Sequence, residues 1–403
     1  MRRSSVLLSI ALSGLGFAAI GLPDGVLGIA WPSLRSAFGL PQAALGALLA
    51  ATTAGYVCAS FASGAIVARI GVGPLLALSC ALTGLSLLGY AAAPSWAAMV
   101  SLGTLAGLGA GAIDAGINAH AAAQHSPRVL SLLHAFYGLG TTAGPALMTG
   151  LLLAGRSWRL GYAILAAAQL ALALGFALTQ RLWERPRAAS GEREVSEPLA
   201  ASLRLPAVQL GGACFLVYTG VEAAAGAWIY SLLYEARSAT MAGAGSAASA
   251  YWGGLLVGRL ALAVLPPARS LAGAMQLCIA GLCAAAALLA ADPWPAASAG
   301  AAALLGLAAG PIFPLLIATT PLRLARGHAA NAVGIQVAAA AAGQALIPAL
   351  LGLAAGAAGL EVVPLALFGA SILLFAAFRA LERHAPVRAA APRIREQRVR
   401  AVS

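Results

Sequence analysis

The sequence predicts an all-α membrane protein of twelve transmembrane helices in two pseudo-symmetric six-helix bundles, and three observations predict it. The first is composition: of 403 residues, 61% are hydrophobic and 9% charged, far from the balance of a soluble globular chain. The second is distribution, because the apolar residues fall in many runs of about twenty, each long enough to cross a hydrocarbon core of roughly 30 Å as a helix. The third is the placing of charge. Every basic residue other than histidine is arginine, and nearly all of the formal +12 lies between or beyond the apolar runs.

That charge pattern points to a lipid bilayer as partner and away from nucleic acid. With Arg2 and Arg3 in the cytoplasm, Arg69, Arg128, Arg181, Arg185, Arg187, Arg193, Arg204, Arg269, Arg323 and Arg326 fall on the same side, and Arg35, Arg156, Arg159 and Arg237 on the other. This positive-inside asymmetry predicts an even number of spans, two cytoplasmic termini and a bacterial inner (plasma) membrane setting. Arg2 and Arg3 resemble the start of a signal peptide, but the apolar run continues through Asp24 to Phe38 without a convincing cleavage site, so it reads as an uncleaved first span. The basic tail from Arg379 to Arg400 reads as solvated, with contact to anionic headgroups as the alternative.

Pro, Gly and Arg punctuate the spans. The first six are Val6 to Phe38, Gln42 to Ala68, Val72 to Ala92, Trp96 to Ala119, Leu130 to Ala154 and Leu160 to Gln180. Arg, Glu, Ser and Pro then break the pattern. Six more spans follow: Ala207 to Leu233, Ala242 to Leu265, Leu271 to Ala291, Ala296 to Pro321, Ala329 to Leu353 and Val362 to Leu381. The predicted organisation is an N-terminal bundle (1–180), a flexible cytoplasmic linker (181–206), a C-terminal bundle (207–381) and a basic cytoplasmic tail (382–403) in a monomeric protein. Cys58, Cys80, Cys214, Cys278 and Cys283 are odd in number, lie in apolar runs and form no C-x-x-C pair, so they read as small packing residues.

The halves echo each other. Gly64 precedes Arg69 by five, as Gly254 precedes Arg259; Gly140 precedes Pro145 by five, as Gly343 precedes Pro348; Asp24 is followed by Gly28 as Glu222 is by Gly226. Gly64-x-x-x-x-Arg69-x-Gly71 resembles a worn form of the loop motif between helices two and three of the major facilitator superfamily, with Ala68 and Val72 where acidic and basic residues are expected. Gly21-x-x-Asp24-Gly25-x-x-Gly28-x-x-Trp31-Pro32 and Gly306-Leu-Ala-Ala-Gly310-Pro311-Ile-Phe313-Pro314 resemble the fucose:proton symporter branch. The resemblance covers essentially the whole chain. It implies the major facilitator fold, alternating access around a central cavity, and a cytoplasmic latch formed by Gly64, Arg69 and Gly71, with Arg259 as the equivalent gating position in the second half.

Three carboxylates lie well inside predicted spans: Asp24, Asp114 and Glu222. A charge at the bilayer centre costs on the order of 3 kcal/mol on insertion scales, so such residues face a cavity or a partner. Burial disfavours the ionised carboxyl, and access to water on one side lets it release a proton there. A protonated acid that only joins helices is the structural alternative. By resemblance, Asp24 is assigned to solute-linked coupling and Asp114 to proton binding, with exchanged roles open. Glu222 either joins them or bonds within its own bundle. Asn118 shares a helix face with Asp114; His134 and Tyr137 share one on the fifth helix, where His134 could relay a proton. His120 lies nearer the cytoplasmic end.

Trp31, Trp228, Tyr230, Tyr234, Tyr251 and Trp252 are candidates for stacking on a sugar-like ring, or for interfacial anchoring. Gln336 and Gln344, with Asn331, either line the second bundle's side of the cavity or bridge helices. The expected binding set is thus Trp31, Asn118, Tyr137, Trp228, Gln336 and Gln344. No cofactor or metal is expected, since no His or Cys pair comes with a third ligand.

The function read from these residues is proton-coupled symport of a small polar solute such as a sugar. Gly140-x-x-x-Gly144-Pro145 resembles the antiporter motif of the fifth helix and makes proton-driven efflux the alternative. Outside transport, a membrane solute sensor and an intramembrane enzyme are the alternatives. The chain has no H-E-x-x-H and no Walker loop, and Gly109-Ala-Gly111-Ala-Ile-Asp114 only loosely matches an intramembrane aspartyl protease.

Overall fold

The computed structural model describes residues 3–124, 127–183, 197–264, 271–292, 294, 297–325 and 327–387. Most of the expected linker (184–196) and of the expected tail (388–403) lies outside the described residues, as do Arg185, Arg187, Arg193, Arg269 and Arg326.

The helices are α1 (Arg3–Phe38), α2 (Leu45–Ile70), α3 (Val72–Ala92), α4 (Trp96–Gln124), α5 (Pro127–Leu153), α6 (Trp158–Leu178), the short α7 (Leu199–Leu203), α8 (Pro206–Ser231), α9 (Met241–Val264), α10 (Leu271–Ala291), α11 (Ala297–Ala309), α12 (Ile312–Arg323), α13 (Ala329–Ala358) and α14 (Val362–His384). Ten segments are long and apolar enough to cross a membrane, with α11 and α12 counted as one. Helices α5 and α9, of 27 and 24 residues, have spanning length as well, so the described residues form twelve segments in the predicted order. Two details differ from expectation. The predicted tenth span breaks between Ala309 and Ile312, where Pro311 has no N–H to continue the ladder. The predicted seventh span runs past Leu233 as a π turn, Leu232–Ala236, which carries Glu235 with it.

Successive spans reverse direction, so Arg3, Ile70, Gln124, Val264, Arg323 and His384 share one end of the molecule, called here the terminal end. Phe38, Ala92, Leu153, Ala236, Ala291 and Ala358 share the far end. Phe61, Leu178 and Leu277 are among the large apolar side chains left mostly exposed, the outward face expected where lipid is the solvent.

Lipid gives apolar helices little reason to prefer one another, so close backbone approach at small residues holds them together. A Cβ on Gly107 of α4 would run into the Thr52 carbonyl of α2, and one on Gly111 into the Tyr56 carbonyl. Gly140 of α5 lies in the same way against Ala18 of α1, and Gly343 of α13 against Leu216 of α8. The Gly140 and Gly343 echo therefore marks equivalent packing in the two halves. The Gly64 and Gly254 echo does not: a Cβ on Gly64 would meet no neighbouring helix within 4 Å, whereas Gly254 packs against the Ala303 carbonyl of α11.

The two halves meet from the middle of the spans to the far end. Gly28 of α1 abuts the Gly226 carbonyl of α8, Gly46 of α2 abuts Ala349 of α13, and Gly245 of α9 abuts Thr149 of α5. Eighteen residues after Gly46 in α2, five whole turns at 3.6 residues each, Gly64 presents the same face to open space. Helices α2 and α13 thus splay apart toward the terminal end.

Candidate functional site

In the middle of α1, Pro23 lacks an N–H and leaves the Ala19 carbonyl without its helical partner. The Gln169 side chain of α6 supplies the missing donor at 3.1 Å. Next to this break stands Asp24, whose side chain is exposed although it sits at mid-span. The Tyr137 hydroxyl of α5 donates to its Oδ2 at 2.7 Å. Close α1–α5 packing allows this reach, with Gly21 against the Tyr137 carbonyl and Gly25 against that of Thr141.

Asp114 on α4 is half-buried and has both oxygens engaged. Tyr56 of α2 donates to Oδ2 at 2.6 Å and Asn118 to Oδ1 at 2.9 Å. The glycines that press α4 onto α2 bring Tyr56 within range. His134 is exposed on α5, its ring 4.9 Å from that of Phe17, and it lies within electrostatic reach of Asp114 and of Arg259 on α9.

Glu222 on α8 faces these groups from the second half. One oxygen accepts from Arg259 Nη2 at 3.2 Å and the other lies against the Tyr218 hydroxyl; the Tyr251 hydroxyl donates to the Glu222 main-chain carbonyl at 2.7 Å. Removing one member of so buried an ion pair costs about 3–5 kcal/mol. Arg259, expected at a helix-end gate, lies five residues before the last residue of α9 and pairs with Glu222.

The far end is shut by a second network. Arg35 Nη2 of α1 donates to Glu235 Oε2 at 2.8 Å, Gln42 Nε2 donates to the same oxygen at 2.9 Å, and Trp31 Nε1 donates to Gln42 Oε1 at 3.0 Å. Two groups of the first half thus converge on one carboxylate oxygen of the second, and Trp31 holds one of them, Gln42, in place. Gly64, Arg69 and Gly71 lie at the opposite, open end, where Arg69 is exposed and forms no ion pair among the described residues.

Of the expected solute-binding residues, the structure brings Asn118 and Tyr137 to the central acids and leaves Gln344 exposed on α13. It takes others away. Trp31 is fully buried in the far-end network, and Trp228 is fully buried with Nε1 on the Pro348 carbonyl at 3.1 Å. Gln336 is buried against Thr320, and Asn331 binds the Glu197 carbonyl and Ser202 at the end of the linker. Each satisfies a polar group inside its own surroundings, which is what burial of an indole or amide demands. Sequence reasoning missed Tyr56, Tyr218 and Glu235. Tyr218 could have been found four residues before Glu222, one turn away; Tyr56 and Glu235 act across helices and left no local signal.

A family model, Major Facilitator Superfamily, matches residues 6–282. The chain belongs to the major facilitator superfamily. Solved structures agree on the fold. A bacterial homolog of the human lysosomal transporter Spinster, inward-facing and occupied, is 14% identical with a TM-score of 0.72, covering 97% of this chain and 99% of that one. A variant of the nucleoside transporter NupG is 14% identical with a TM-score of 0.76, covering 93% and 99%. No curated protein matches the chain. This major facilitator is accordingly a membrane transporter of some solute, working by alternating access, and the splayed terminal end with the shut far end is one of its two access states.

Proposed function

We propose that the protein is a proton-coupled symporter of a small polar solute such as a sugar, with Asp24 taking the solute and Asp114 the proton. One observation carries the division of roles. Asp114 and Glu222 have both carboxylate oxygens engaged, whereas Oδ1 of Asp24 has no hydrogen-bond partner among the described residues and its side chain is exposed at mid-span. An acceptor left open where a solute passes is an acceptor for solute hydroxyls. An acid held between Tyr56 and Asn118, with His134 beside it, suits proton exchange instead. Asn118, Tyr137 and Gln344 complete the solute wall.

The same reading sets the terminal end in the cytoplasm of a bacterial inner membrane, supported by the arginine asymmetry, in a monomer of two bundles (1–180 and 207–381) with linker 181–206 and tail 382–403. Gly64, Arg69 and Gly71 are the terminal-end latch, engaged when α2 and α13 close. The likeness of the Asp24 and Gly310-Pro311 motifs supports the fucose:proton symporter branch. A second reading, proton-driven efflux, is favoured by the lack of an ion pair to Asp24 among the described residues and by the tight α1–α5 seam at Gly140 and Gly144: a cationic solute and a proton would then compete for Asp24.

A thermal-shift screen of polyols and monosaccharides on purified protein tests the assignment. A bound solute at one hundred times its Kd stabilises the protein by about 2.7 kcal/mol. The shift is expected to vanish in Asp24→Asn and persist in Asp114→Asn; the reverse pattern would exchange the roles. Tyr56→Phe is expected to keep the ligand-induced shift while slowing gradient-driven accumulation about tenfold, because Asp114 loses a donor worth roughly 1.5 kcal/mol. An unchanged accumulation rate would remove Tyr56 from the coupling machinery.

A further inference from the structure

Ser60, Ser63, Ser86, Ser101 and Ser371 each donate to the carbonyl four residues back in their own helix. Ser33 and Ser36 of α1 make no hydrogen bond among the described residues, and neither does the hydroxyl of Tyr234. All three line one cleft of about 400 Å³ at the far end, where Pro32, Ser33 and Ser36 face Tyr230, Tyr234 and Met241. The Tyr230 and Tyr234 rings are stacked, with centroids 5.5 Å apart and planes 27° apart. The volume falls within the range of small-molecule sites, and the mixture matches them, an aromatic surface with a few uncommitted polar groups. One wall belongs to the first half of the molecule and the other to the second. The Arg35–Glu235 pair that joins the halves is adjacent in the chain on both sides.

We propose that this cleft is a second ligand site, separate from the central cavity, which takes a hydroxylated ring carrying a flat apolar face, as in an aryl glycoside. The ring's flat face stacks on Tyr234, and its hydroxyls meet Ser33, Ser36 and the phenol. Because the walls come together only while the far end is shut, a ligand bound across them stabilises the shut state by its differential affinity. The site therefore acts as a brake: ligand in excess at the far end holds the transporter open to the terminal end. This goes beyond the proton-coupling reading and does not depend on Asp24 or Asp114.

The test uses the full chain purified in detergent and 4-nitrophenyl β-glucoside as the probe, titrated calorimetrically against wild type, Tyr234→Ala, Ser36→Ala and Asp24→Asn. Tyr234 and Ser36 are exposed, so neither substitution opens a cavity in the core. Asp24→Asn, which disables the central solute acceptor, is expected to retain the Tyr234-dependent binding seen in wild type, with Tyr234→Ala weakened about tenfold and Ser36→Ala about threefold. Equal binding by wild type and both cleft variants, no binding by wild type, or binding to empty micelles alone overturns the site. Loss of binding in Asp24→Asn, with the cleft variants unaffected, also overturns it and places the probe in the central cavity, which would leave the solute-binding role of Asp24 standing.

Discussion

Replacing Asp114 by Asn is expected to stop solute accumulation driven by a pH gradient while solute exchange across the membrane continues. The amide keeps the shape and can still accept from Tyr56, so the helices α2 and α4 remain joined, but it can no longer take up or release a proton. Coupling is then lost without loss of the path. In proteoliposomes with an imposed pH gradient, accumulation in Asp114→Asn should fall to the equilibrium level, at least a hundredfold below a wild type that uses a gradient of two units (about 2.7 kcal/mol). Counterflow should persist at a substantial fraction of the wild-type rate. Full accumulation in the variant would show that the proton travels elsewhere.

The second large effect is expected at Glu235. Its one oxygen holds Arg35 at 2.8 Å and Gln42 at 2.9 Å, and both partners belong to the other half of the molecule. Charge-assisted hydrogen bonds of this kind contribute roughly 1.5–3 kcal/mol each, and the partial exposure of the Arg35–Glu235 pair, with side chains 31% and 19% exposed, places them at the lower end of that range. Glu235→Gln removes the charge and should shift the balance between access states about tenfold toward an open far end. Spin labels at Ala154 and Ala357, both exposed at the far end, would show the change as a second, longer separation. A double-mutant cycle with Arg35→Met should return most of the effect as coupling between the two residues. An unchanged distance distribution in Glu235→Gln would mean that the glycine seams alone hold the far end closed.

What was legible in the sequence was whatever a single helix reports about itself. Span length and apolarity gave the helical order, and the acids stood out because a charge among apolar residues is costly enough to need a reason. Asn118 was found from its four-residue spacing to Asp114. What could not be read was every relation between helices. Trp31 and Trp228 look like ring-binding residues as a list of aromatic side chains, but the packing of α1 and α8 buries both and uses up their N–H groups. Arg259 looked like a gating arginine at a helix end because five residues separate it from Gly254, as they separate Arg69 from Gly64. The partner that decides its role, Glu222, lies 37 positions away on another helix. Glu235 fell beyond the predicted end of its span, since an α-helical pattern gives no warning of a π turn that carries the backbone on. The placing of Tyr56 against Asp114 depends on Gly107 and Gly111, whose meaning appears only once α2 is set against α4.

Proton movement during transport, followed directly, tests the central claim that the mid-span acids carry protons. De-energised proteoliposomes in weakly buffered medium, given an inward gradient of the solute found by the screen, would be monitored with a pH electrode. Wild type is predicted to alkalinise the medium in step with solute entry, and Asp114→Asn to admit solute with no pH change. Solute entry by wild type without any change in external pH would contradict the account.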